Sequence, residues 1–89
     1  RLAGDANVVD VTVPEGAPIV GLTLEEAVQD GLLDDDALII AIERGDRVLT
    51  PHGTTTVQPD DIVTVLSRSG DTASVLEAFV TEERTAAEG

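Results

Sequence analysis

The sequence predicts a small α+β domain with the order β-α-β-β-β-α, a four-stranded sheet and two helices on one face of it. Three observations carry that prediction. Ala37 to Ile42 is an unbroken apolar run, Val9, Val11 and Val13 alternate with Asp10 and Thr12, and two stretches headed by capping residues change to a helical period. At 89 residues the chain is one domain, of a size that buries only about 60 to 65 per cent of its unfolded surface.

The first element is a strand around Val9 to Val13, whose alternation buries one face and which Pro14 ends. Thr23 then serves as N-cap, and Glu26 completes a capping box for a short helix with Leu24, Ala27 and Val28 on its apolar side. Gly31 falls just past the C-terminus, where a left-handed residue is needed. Ala37 to Glu43 reads as a strand with both faces out of water, Gly45-Asp46 as a two-residue turn, and Val48 to Thr50 as the return strand, closed by Pro51-His52-Gly53. Thr54 to Gln58 is polar, Pro59-Asp60 turns the chain, and Ile62 to Leu66 is a further apolar strand. Asp71 caps the last helix, whose stripe is Val75, Leu76, Phe79 and Val80. Residues 1–7 read as a flexible lead-in or linker remnant, 8–80 as the domain and 81–89 as a frayed acidic tail; the start at Arg1 rather than Met suggests a fragment of a longer protein or a processed product.

The formal net charge is -13, from 18 acidic residues against 5 basic ones, all of them arginine. This bias, with one aromatic (Phe79), points to an extreme halophile, an ordinary acidic domain being the alternative. It argues against nucleic-acid binding, which needs clustered cations. The absence of cysteine excludes disulfides and thiolate metal sites, and no apolar run is long enough to insert into a membrane. Two short helices cover one side of a sheet, so the apolar strand asks for further cover. A homodimer supplies it through a two-fold axis, and the chain's own loops are the alternative.

The order of motifs resembles the TrkA C-terminal domain, also called the RCK C-terminal domain, of potassium uptake regulators and ligand-gated cation channels and transporters. The matching pieces are the valine strand ending at Pro14, Gly21-Leu22-Thr23-Leu24-Glu25-Glu26 at the helix entry, the strand Leu38 to Arg44, Val48 to Pro51, and Gln58-Pro59-Asp60-Asp61-Ile62 leading into Val63 to Leu66. Asp60 departs from the family's usual glycine, and aspartate tolerates the left-handed backbone that such a turn requires. The resemblance implies a non-enzymatic regulatory module that senses a ligand and dimerises. It would act on a membrane cation transporter or channel subunit, at the cytoplasmic face of a transport complex. No cofactor is required, and cyclic di-AMP or another nucleotide, bound between two subunits, is the ligand implied. Carried to this chain, the ligand neighbourhood holds Ile39, Ile40, Glu43, Arg44, Arg47, Pro51 and His52.

Each candidate also has a plainer reading. His52 is the single histidine, either a phosphate contact or a solvated loop residue. Arg44 and Arg47 flank the turn, where a guanidinium fork suits phosphate oxygens or pairs across strands with Glu43 or Asp46. Asp34-Asp35-Asp36 and Asp60-Asp61 read as solvated acidic surface rather than a cation site, because consecutive side chains diverge. Arg44-Gly45-Asp46 has a complete explanation as a turn. No acid, base or nucleophile spacing marks a catalytic pair. A dimerisation module with no ligand is the competing function.

Overall fold

A computed structural model of the protein describes residues 6–80. Its elements are β1 (Asn7–Thr12), α1 (Leu24–Gln29), β2 (Ala37–Arg44), β3 (Arg47–Leu49), β4 (Ile62–Ser67) and α2 (Thr72–Leu76), the last passing into a 3₁₀ turn at Glu77–Phe79. The expected α+β architecture is the one observed. Residues 1–5 of the expected lead-in and the whole of the expected tail, 81–89, lie outside the described residues, and Asn7 already belongs to β1.

The four strands form one antiparallel sheet in the order β1-β4-β2-β3. Although last in sequence, β4 is central, and its Val63, Val65 and Ser67 are almost fully buried. Two rungs tie the core face together: Val9 opposite Val65 opposite Ile39, and Val11 opposite Val63 opposite Ile42. Ile39 and Ile42 are three residues apart, so strict alternation would place them on opposite faces. A bulge resolves this, because the register steps from Ile39–Val65 to Ala41–Thr64 and leaves Ile40 as an extra residue. Burying a side chain such as Ile42 or Ile19 contributes about 1.5 to 3 kcal/mol relative to leaving it in water.

Helix α1 starts as its chemistry requires: the Thr23 hydroxyl accepts from the Glu26 amide at 3.1 Å, and the Glu26 carboxylate accepts from the Thr23 amide at 2.9 Å. Leu24 and Ala27 face the core. The Asp71 carboxylate caps α2 through the Ser74 amide at 3.2 Å. In the β2–β3 turn only Gly45 takes a positive φ, of 61°, so the turn bends left-handed at its first central residue and not at Asp46. Asp60 sits at φ 72°, in the left-handed conformation its turn demands.

Several expected burials do not occur. The two-sided burial predicted for β2 is corrected: Ile42 is buried, whereas Leu38 and Ile40 remain 45% and 47% exposed, because α1 and α2 cover only one face. Val28 projects from α1 into solvent, and Leu76 and Val80 stay at the surface while Ala78 joins Val75 and Phe79 in the core. Among the described residues no helix is long and apolar enough to cross a membrane.

Candidate functional site

The short length of β3 creates the main surface feature. It pairs with β2 only from Ile42 to Arg44. Beyond Leu49 the chain turns into the Pro51–Thr54 loop, so Ala37 to Ala41 have no strand partner on that edge among the described residues. Between this edge, α1 and the loop lies an open cleft of about 780 Å³. Its apolar floor includes Leu24, Val28, Leu38, Ile39 and Pro51, and Glu25, Gln29, His52 and Thr54 supply polar groups. A cleft of that size with few polar groups suits a small ligand bearing flat apolar parts.

Backbone hydrogen bonds hold the outer wall against α1. The Glu25 amide donates to the Gly53 carbonyl at 2.9 Å and the Leu24 amide to the Thr55 carbonyl at 3.0 Å. These are N-terminal amides that the helix itself cannot satisfy, so the loop acts as its second cap. Beyond the wall the same loop is joined to the residues before α1 by bonds from the Gly21 amide to the Val57 carbonyl and from the Val57 amide to the Leu22 carbonyl, both 2.9 Å. His52 is set by a tight local turn in which its amide donates to the Thr55 hydroxyl and the Thr55 amide donates back to the His52 carbonyl. Its side chain is exposed.

Arg44 stands outside the cleft lining. Its Nε and Nη2 donate to the two carboxylate oxygens of Asp61 at 2.9 and 2.8 Å, and Nη2 also donates to the Thr56 carbonyl at 2.9 Å. Asp61 is 1% exposed, which corrects its expected place on a solvated acidic surface. Burial acts to raise its pKa, but the Arg44 hydrogen bonds, the Gln58 amide and the Arg44 charge together hold the carboxyl below its usual value. The same hydrogen bonds raise Arg44 above its ordinary range, against burial. Among the described residues this is the one ion pair, and neither Glu43 nor Asp46 takes part in it.

The predicted neighbourhood is therefore divided. Ile39, Pro51 and His52 meet in the cleft. Ile40 sits exposed on the bulge, and Glu43 lies opposite Val48 in an exposed pair. Arg47 is exposed at the end of the hairpin, opposite Arg44 in register. Leu24, Val28, Leu38 and Thr54 line the cleft without having been singled out from the sequence. A helical Val28 beside two buried neighbours reads as core, whereas it lies 56% exposed at the cleft.

Of the aspartates at 34–36, expected to be solvated, Asp34 and Asp35 are exposed while Asp36 ties the start of β2 to the end of β4. Asp36 accepts from the Ser67 hydroxyl and the Ser69 amide, each at 2.7 Å, and from the Ser69 hydroxyl at 3.0 Å. The Ser67 hydrogen bond leads in lowering its pKa, against partial desolvation. Asp34 turns instead to the Asp36 amide at 2.9 Å, so these two carboxylates diverge. Among the described residues no three His, Asp or Glu side chains are grouped to hold a metal ion.

A four-stranded antiparallel sheet backed on one face by two short helices, with an apolar cleft at its edge, defines a small α+β domain. More narrowly, residues 8–80 match the TrkA-C domain family, and the chain belongs to that family. TrkA-C domains are regulatory parts of potassium transport systems, not a catalytic family, and they often dimerise. Among curated proteins no relative matches the chain.

Proposed function

We propose that this chain is a ligand-sensing and dimerising regulatory domain, without enzymatic activity, that acts on a membrane cation transporter or channel subunit from the cytoplasmic side. The observation that carries the reading is the half-exposed apolar surface of β2, Leu38 and Ile40, adjoining a cleft that contains Ile39, Pro51 and His52. A second copy covers the surface through a two-fold axis. A small anionic ligand such as cyclic di-AMP binds at the resulting interface, with flat bases on the apolar floor and phosphates near His52. Occupancy regulates transport by favouring one arrangement of the two copies over another.

Charge bears directly on this reading. A chain at -13 repels an anion at low ionic strength, whereas at about 1 M salt the screening length falls to about 3 Å and nearby groups decide binding. A halophilic setting therefore favours the reading. One observation favours a dimerisation module with no ligand: the cleft lining contains no arginine. Calorimetric titration with cyclic di-AMP and a nucleotide panel in molar potassium chloride separates the two. Saturable heat at one ligand per two chains supports sensing, and no heat with any member selects the structural module. Light scattering in the same salt tests dimerisation, and a mass of 9.2 kDa sinks it.

A further inference from the structure

We infer that Arg44 is a positioning residue that sets the outer wall of the cleft from behind. Its functional meaning rests on the reading of the cleft as a ligand site; its geometry stands apart from that reading. The wall, residues 51–54, opens a loop that runs on to Asp61 and is fastened at three places. At one end Gly53 and Thr55 accept the first amides of α1. At the other, the Asp60 amide donates to the Val13 carbonyl and the Val13 amide to the Asp61 carbonyl, each at 2.8 Å, tying the loop to the residue after β1. Between them the Thr56 carbonyl is held by Arg44 Nη2, which also carries the Asp61 carboxylate.

Arg44 sits at the last rung of β2 before the turn, so it joins the hairpin to the wall. Its fork engages both Asp61 oxygens and the Thr56 carbonyl together, through Nε and Nη2. A lysine can supply a charge to Asp61 but not that planar set of donors. The carboxylate also accepts from the Gln58 amide at 3.0 Å, so one ion pair organises the loop from Thr56 to Asp61. A shift of the hairpin, whether from a second copy or from a ligand, is thereby passed to the wall and the N-terminus of α1.

Amide hydrogen exchange on the unliganded chain tests this. In Arg44→Met the amides of Leu24, Glu25 and Val57 should exchange about tenfold faster or more, as expected for the local loss of a charged hydrogen bond, while the paired amides of β1 and β4 keep their rates. Arg44→Lys should fall between Met and wild type, and should alone restore part of the Val57 protection. Should Arg44→Met fail to fold, the comparison of Arg44→Lys with wild type decides by the same pattern. Unchanged exchange at Val57, or an equal rise throughout β1, β4 and the loop, overturns the inference, the second by showing only general stabilisation. Because no ligand enters the measurement, failure of every titration would count against the proposed function and leave this result standing.

Discussion

On one face of the sheet Ile42, Val63 and Val65 are at most 1% exposed, while on the other Val8, Leu38 and Ile40 are 50%, 45% and 47% exposed. The side chains are of the same kind; their surroundings differ. α1 and α2, with Val13, Ile19 and Val57 from the connections, close over the first face, and the described residues supply no second layer for the other. Hydrophobic burial follows area removed from water, so identical residues stabilise a single chain on one face and add little on the other until a partner covers them. The face that folds the domain and the face available for assembly are thus separate.

The largest effect expected is on the closed face. Ile42→Ala should lower folding stability by about 2 to 5 kcal/mol, measured by urea unfolding. Next comes the link between hairpin and loop: Arg44→Met leaves the Asp61 carboxylate buried without its cation and should cost about 2 kcal/mol of local stability in the loop from Thr56 to Asp61, read from amide exchange there rather than from urea unfolding of the whole domain. A smaller, pH-dependent effect follows from Asp61 and Asp36. Both carboxyls are depressed below the ordinary aspartate value of 3.8, so their stabilisation is present above that pH and lost as pH falls through the depressed values. Asp61→Asn should flatten part of that acid transition, and a transition unchanged in shape would remove Asp61 from the account.

Leu38→Asp, on the open face, should change unfolding of the single chain by less than about 1 kcal/mol yet abolish dimers in light scattering. A large loss of folding stability instead would mean that the two faces are not independent. Smallest of all, Val48→Thr at 73% exposure should fall within about 0.5 kcal/mol of wild type in unfolding.

Much of the fold was legible because it depends on local chemistry. Thr23 with Glu26, Gly31, Gly45, Asp60 and Asp71 each solve a backbone problem within a few residues, and each takes the conformation or hydrogen bond its type suggests. The cleft was legible only in part. Ile39, Pro51 and His52 belong to one continuous stretch around the hairpin, but Leu24 and Val28 come from a helix whose proximity no periodicity reveals. Arg44 was recognisable as a residue needing a partner, and the candidates weighed were its neighbours. The actual partner, Asp61, lies 17 positions on and looked like half of a solvated pair.

The sequence by itself determined the order of strands, helices and turns and the residues that cap or turn them, because caps, left-handed residues and apolar periods act over a few residues. It also determined the membership of residues 8–80 in the TrkA-C family, through the order of those signals. Only the tertiary structure decided that β4 is central, that a bulge at Ile40 keeps Ile39 and Ile42 on one face, and that β3 leaves the edge of β2 uncovered. Those outcomes depend on contacts between distant segments, in which the same valine or isoleucine is core or surface according to what lies across from it.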